Sequence, residues 1–221
     1  VDGRPDLWKA SVWIEELIEL RKHLGLDEIH LLGQSWGGMQ TLEYVCNYQP
    51  EGIKSIILSS TLPASWMWAK EAKRMIAQLP EDMQAAIQYA TETGDYSRPE
   101  YQKAEDMYMI FHCGDTLDEN APECLTRPKK SGREAYITAW GPNEFTPLGT
   151  LKDYDVTEQL KDIEAPALII NGGNDLCTPY IAKYMYDRIP NARWELFRTC
   201  RHMCFVEDAE KYIAILKDWL N

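Results

Sequence analysis

Apolar residues recur at helical spacing near the start of the chain and then give way to short, largely apolar runs. Residues 7–24 carry apolar side chains three or four positions apart and are followed by Gly25, which predicts an amphipathic helix with a glycine at its end. The runs at 28–33 and 53–60 predict buried strands, and a helical pattern at 37–48 separates them. Because the links between these elements are short, the pattern predicts a parallel sheet with helices on its faces.

The middle of the chain has a different character. Between residues 63 and 150, Trp, Met and charged residues mix at helical periods, with no strand-like run. The pattern predicts helices at 65–79, 81–92 and 99–112. This part of the sequence is therefore expected to form a helical insertion.

The alternation of strand and helix resumes beyond residue 150. The predicted strands and helices of this part are 165–173, 178–189, 192–198 and 208–220. We therefore expect residues 1–62 and 151–221 to form a partial α/β core, and residues 63–150 to form a cap subdomain inserted between its strands.

The segment LLGQSWGG places Ser35 between Gly33 and Gly37. This G-x-S-x-G pattern is typical of a strained strand-to-helix turn that exposes a nucleophilic serine, and side chains at the flanking glycines are expected to collide with neighbouring backbone. Gly38 is expected to let the following helix pack close to the strand. A Gly/Ser turn of purely structural function is the alternative, but the strand before it and the helix after it favour a nucleophile.

A serine nucleophile needs a base and a group that orients the base, and the chain offers both in the expected order. Asp175 follows the predicted strand 165–173, and His202 follows the predicted strand 192–198. Taken singly, the aspartate is an ordinary turn former and the histidine an ordinary structural residue. Since the carboxyl ends of parallel strands meet at one edge, their placement favours a Ser-His-Asp triad.

Composition restricts the partners. The 35 acidic residues outnumber the 23 basic ones, for a net charge of −12, which disfavours nucleic acid and suits a cationic or neutral small ligand. No apolar run reaches the length of a membrane span, so no membrane partner and a cytoplasmic location are expected. The six cysteines form no C-x-x-C pair, and the CRHMC segment around His202 lacks the two spaced ligand pairs of a structural zinc site. Neither a metal nor a cofactor is expected.

The motifs together resemble those of the α/β-hydrolase-fold proline iminopeptidases and the related amino-acid amidases. The segments that carry the resemblance are LLGQSWGG, AWGPNEFTPLGTLKDYDV, GGNDLCTP and FRTCRHMCFVED, which are spread over nearly the whole chain. The second is the most specific. Enzymes of this family release an N-terminal residue, often proline, from short peptides, or hydrolyse amino-acid amides, and the resemblance implies such a substrate here.

The resemblance also implies roles for individual residues. Ser35 is the nucleophile, His202 the general base and then acid, and Asp175 the group that orients and stabilises the imidazolium. The backbone N–H of Trp36 is one oxyanion donor. Glu144, in GPNEF, corresponds to the family's cap carboxylate that pairs with the free α-amino group of the substrate, a solvated loop glutamate being the alternative.

Aromatic residues of the insertion, including Trp66, Trp68 and Trp140, are candidates to line a pocket above the serine. Since aromatic residues at helical spacing more often belong to a core, only Trp140 is assigned to substrate binding. The sequence departs from the family at Leu176, where many members carry a second glutamate for the amino group, and at Cys200-Arg201, where a small residue commonly precedes the histidine.

The sequence also lacks the H-G-G-P-G segment that in this family lies upstream of the serine and supplies the second oxyanion donor. A nucleophile at position 35 means that the N-terminal strands of the fold are absent, which leaves the elbow strand as an exposed edge. We expect either a missing N-terminal segment or a second chain to complete the sheet, with self-pairing as a third possibility. The 221 residues alone are expected to hydrolyse poorly.

Two further functions stay open at this point. One is a general esterase or amidase without amino-terminal specificity. The other is a non-catalytic, truncated hydrolase scaffold that acts as a binding module, which the missing oxyanion segment favours and the retained serine, acid and histidine disfavour.

Overall fold

The computed structural model describes residues 3–119, 121–128 and 132–221. Its centre is a four-stranded sheet in the order β1-β2-β3-β4, and all three neighbouring pairs are parallel. The strands are β1 (Ile29–Gln34), β2 (Ile53–Ser59), β3 (Ala167–Gly172) and β4 (Ala192–Phe197). The predicted parallel sheet is confirmed, with each strand inside or close to its predicted range.

The burial of each strand follows its place in the sheet. All of β3 is buried, and so is β2 from Ser55 to Ser59, because helices cover both faces of the central strands. Strand β1 lies at the edge of the described sheet and has a half-exposed pattern, with Leu32 45% exposed. This is the edge that the position of Ser35 led us to expect.

The helices of the core alternate with the strands. They are α1 (Ala10–His23), α2 (Trp36–Glu43), α8 (Pro179–Tyr186), the short α9 (Cys204–Glu207) and α10 (Ala209–Leu220). Helix α1 begins three residues later than predicted, because Pro5–Leu7 form a separate 3-10 turn. Helix α2 begins directly after Ser35, so the first strand and its helix are joined by a single residue.

Helices occupy the described part of the insertion, which contains no strand. They are α3 (Ser65–Ile76), α4 (Glu81–Thr93), α5 (Pro99–His112), α6 (Glu123–Thr126) and α7 (Arg133–Ala139). Apolar side chains of α3, α4, α5 and α7 form one cluster that also includes Met39 and Leu176 of the core. The cap therefore packs over the carboxyl end of the sheet, while its treatment as a separate subdomain stays a prediction.

Buried polar contacts fix the cap to the core. Glu71 on α3 is buried and accepts a hydrogen bond from Thr178 Oγ1 at 2.8 Å, and it pairs with Arg74 at 2.9 Å. Ser65 Oγ donates to the carbonyl oxygen of Leu151 at 2.7 Å. These bonds hold the base of the cap in one position relative to the sheet edge.

Candidate active site

Ser35 occupies a strained turn at the carboxyl end of β1. Its φ of 53° and ψ of −118° lie outside the regions that L-residues ordinarily adopt. Two hydrogen bonds from β2 and its continuation hold the turn: Ser35 N donates to Ser59 O at 2.9 Å, and Thr61 Oγ1 donates to Ser35 O at 2.7 Å. The neighbouring strand thus fixes the serine that joins β1 to α2.

The glycines around this turn differ in what they contribute. A Cβ on Gly33 would overlap the backbone of Gly37, and a Cβ on Gly38 would overlap the side chain of Thr61. A Cβ on Gly37 would meet open space. The expectation of a collision is therefore correct for Gly33 and wrong for Gly37, because helix α2 turns that position away from the sheet while Gly38 faces it.

Asp175 and His202 meet at the same sheet edge. His202 Nδ1 lies 2.7 Å from Asp175 Oδ1. Asp175 is 1% exposed, and its other hydrogen bonds come from Cys177 N at 2.8 Å, Ser60 Oγ at 2.6 Å and Gly172 N at 3.0 Å. Both oxygens of this buried carboxylate are therefore satisfied by hydrogen-bond partners.

The surroundings of His202 favour its protonated form. Burial opposes the charge, but the negative charge and hydrogen bond of Asp175 outweigh burial, and Glu144 and Glu207 add to them, so the pKa of His202 is raised. The backbone supports the ring position, since His202 N donates to His112 O at 3.1 Å. This histidine is therefore suited to receive a proton and hold it briefly.

Ser35 and His202 belong to adjacent loops. Gln34 Nε2, next to the serine, donates to the carbonyl oxygen of His202 at 3.5 Å. Within the described part of the chain, the Ser35 hydroxyl makes no hydrogen bond. The hydrogen bond between a nucleophilic serine and its histidine base is often long in the absence of substrate and shortens when substrate binds. The three predicted triad residues thus share one rim of the sheet, with the acid and the base already joined.

A cavity of about 450 Å³ opens over Ser35. Its floor includes the serine, Trp36 and Met39, and its upper wall comes from the cap, with Tyr136, Trp140 and Glu144. Trp36 is the first residue of α2, so its N–H is among the first-turn amides that have no partner within the helix. The predicted binding residues therefore face the same space as the predicted nucleophile.

Glu144 is held by its backbone and by its side chain. Its carbonyl oxygen accepts bonds from Trp68 Nε1 at 2.6 Å and Trp140 Nε1 at 3.2 Å. Its carboxylate accepts the hydroxyl of Tyr136 at 3.0 Å. Burial, followed by the charge of Glu144, raises the pKa of Tyr136, so this phenol stays a donor.

Some lining residues were not predicted from the sequence. Trp13 of α1 lines the cavity and packs edge-on against Trp36, with ring centroids 5.0 Å apart. Trp68 also lines it, although only Trp140 was assigned there, whereas Trp66 is 46% exposed. Helical spacing does not separate pocket from core, because the helix face that packs inward serves both.

Across the described ranges, no three His, Cys, Asp or Glu side chains lie together as metal ligands would. All six cysteines are free thiols, and burial raises the pKa of Cys46 to about 12. Among the helices that the structure describes, none has the length and apolar composition needed to cross a membrane.

The chain is similar to known proteins over nearly its whole length. The sequence pattern of the alpha/beta hydrolase fold family matches residues 6–209. A proline iminopeptidase of Clostridium botulinum is 62% identical over 219 residues, which cover 99% of this chain and 75% of that protein. A proline iminopeptidase of Clostridioides difficile is 59% identical over 221 residues, which cover 100% of this chain and 75% of that protein.

Solved structures give the same result. The crystal structure of a proline iminopeptidase from Mycobacterium smegmatis has a TM-score of 0.85 and 30% identity, covering 99% of this chain and 73% of that one. The crystal structure of VinJ has a TM-score of 0.87 and 27% identity, and the match covers 98% of this chain and 73% of that one. About a quarter of each of these proteins has no counterpart in these 221 residues.

Proposed function

Because the chain belongs to the proline iminopeptidase family of the α/β-hydrolase fold, and is a serine aminopeptidase of this type, we propose that it releases N-terminal proline from short peptides. The observation that carries this proposal is the shared cavity, which has Ser35 on one wall and Glu144 on the other. A nucleophile and a carboxylate across a small cavity suit a substrate whose charged amine lies one residue from the bond that breaks.

In the proposed reaction, His202 takes the proton of the Ser35 hydroxyl as its oxygen attacks the carbonyl carbon of the N-terminal residue. Asp175 stabilises the imidazolium, and the N–H of Trp36 donates to the oxyanion. The imidazolium then gives its proton to the leaving amine as the C–N bond breaks. Water attacks the resulting ester in the same way, and the proton returns to Ser35.

The charge of the cavity supports recognition of a free amine. Glu144 lines the cavity over Ser35, so an ammonium group bound there has a carboxylate as its partner. An N-blocked substrate would leave the Glu144 carboxylate partly desolvated and without a charged partner, so it is disfavoured.

The aromatic walls suit a proline ring. Trp68 and Trp140 pack edge-on with ring centroids 5.8 Å apart, and both line the cavity beside Glu144. A pyrrolidinium places a positive charge next to apolar methylene groups, and aromatic faces accommodate both. We therefore assign Trp140 and Glu144 to the binding of the N-terminal residue.

Two substrates, one variant and one probe test the proposal. Proline p-nitroanilide should be hydrolysed, although slowly by these 221 residues alone. Its N-acetyl form should be hydrolysed far more slowly still, and Ser35→Ala should abolish turnover of both. Equal rates on blocked and free substrates would instead indicate a general amidase or esterase. A folded chain whose Ser35 is not labelled by a fluorophosphonate would indicate a non-catalytic binding module.

A further inference from the structure

A second serine beside the site has an unusual backbone. Among the described residues, the positive-φ positions other than glycine are Ser35 at 53°, Gln49 at 46° and Ser60 at 47°. Gln49 ends a helical segment before Pro50, where a left-handed residue is ordinary. Ser35 is the proposed nucleophile. Ser60 follows β2 and has neither explanation, although such strain persists only where surrounding contacts impose it.

The contacts that impose this conformation join β2 to the loop after β3. Ser60 N donates to Ile170 O at 2.7 Å, and Ser60 Oγ donates to Asp175 Oδ2 at 2.6 Å. Ser60 is 0% exposed, so this hydroxyl has no water to replace the carboxylate. The left-handed turn thus directs a buried hydroxyl at the acid of the site.

The bond from Ser60 determines which way the Asp175 carboxylate faces. Oδ1 accepts from His202 and Cys177 N, while Oδ2 accepts from Ser60 and Gly172 N. The hydroxyl bond is the shortest of these four contacts. Without it, Oδ2 retains only the bond from Gly172 N, and the carboxylate is freer to rotate away from the imidazole.

We propose that Ser60 is a positioning residue, which holds the Asp175 carboxylate in the plane where it orients His202. The inference deepens the proposed function and rests on it, since orienting His202 matters only if His202 is the base. Ser60 is fully buried and does not line the cavity over Ser35. Its side chain also bonds the Cys204 thiol, which is not a member of the proposed triad, so the proposed effect on His202 passes through Asp175.

Ser60→Ala tests the proposal, with Ser55→Ala as the matched control. Ser55 lies at the other end of β2, is also buried, and is bonded to His30 Nδ1 at 2.7 Å and Trp219 Nε1 at 2.9 Å. Both variants lose a buried, hydrogen-bonded hydroxyl, one from β2 and one from the residue that follows it, but only Ser60 touches the proposed triad. Ser60→Gly is a second variant that removes the hydroxyl and relieves the backbone strain, so it folds even if the alanine variant does not.

For Ser60→Ala and Ser60→Gly, we expect kcat on proline p-nitroanilide to fall about 10-fold or more with KM within 2-fold, as for a misplaced catalytic group. The groups that raise the pKa of His202 are Asp175, Glu144 and Glu207, and the Ser60 variants loosen the position of Asp175 alone. The pKa of His202 should therefore fall, and the acid limb of the pH profile, where kcat/KM declines on acidification, should move to lower pH. The low-field proton resonance of the His202–Asp175 bond should shift or broaden.

Ser55→Ala should lower thermal stability and leave kcat, the acid limb and that resonance unchanged. The proposal is overturned if both Ser60 variants match Ser55→Ala in these three measurements, or if their loss lies in KM. Failure of the proposed function looks different, because the unsubstituted protein would then neither hydrolyse proline p-nitroanilide nor react with a fluorophosphonate.

Discussion

Replacing Glu144 with glutamine removes the charge that we assign to the substrate's amino group and keeps the shape of the side chain. The carbonyl bonds to Trp68 and Trp140 use the backbone and survive the substitution. Tyr136 still has an amide oxygen to which it donates. The variant therefore tests charge with little change in packing.

The size of the expected effect follows from the site. A hydrogen bond to a charged group contributes about 1.5–3 kcal/mol, and the partial exposure of Glu144 favours the lower end of that range through solvent screening. A loss of about 1.5–2 kcal/mol corresponds to a fall of roughly 10- to 30-fold in kcat/KM for proline p-nitroanilide. N-acetyl-proline p-nitroanilide, which has no ammonium group, should change by less than about 2-fold.

The assay compares kcat/KM for the two substrates in the unsubstituted protein, in Glu144→Gln and in Glu92→Gln. Glu92 is an exposed cap glutamate that bonds Gln88 and lies outside the cavity, so its substitution controls for net charge. Glu144 also contributes to the raised pKa of His202, so its loss should move the acid limb of kcat/KM to lower pH. Equal losses on the free and blocked substrates would refute the assignment of Glu144 to the amine.

Three further predictions follow from the fold and the site. Gly38→Ala should lower Tm and fluorophosphonate labelling because its Cβ overlaps Thr61, whereas Gly37→Ala, at an open helical position, should preserve both. The pKa of His202 is raised, and only a neutral imidazole can accept the serine proton. On acidification, kcat/KM for proline p-nitroanilide should therefore begin to fall at a pH above the usual pKa of histidine, as a pH profile would show. Thr178→Val leaves the buried Glu71 carboxylate without its hydroxyl partner and should lower the free energy of unfolding in urea by about 1–3 kcal/mol; an unchanged midpoint would contradict the cap-docking role.

Much of the framework was predictable because it depends on local patterns. The apolar runs located all four strands, and the chain order of serine, aspartate and histidine placed each residue after its own strand. Parallel pairing brings the carboxyl ends of the strands to one edge, so residues that follow different strands lie close together in space. The prediction for Gly37 failed, because the glycine pattern identifies a tight turn without showing which Cβ faces the neighbouring strand.

The sequence by itself determined the parallel sheet, the helical insertion and the identity of the candidate triad, since these depend on periodicity and motif spacing. Tertiary structure decided which aromatic residues line the cavity and that Ser60 bonds Asp175, 115 positions away. Such contacts arise where separate elements pack, and neither periodicity nor a short motif identifies the partner residue on the other element. Local sequence patterns specify the individual strands and helices, whereas the alignment of the reacting groups depends on how these elements pack together.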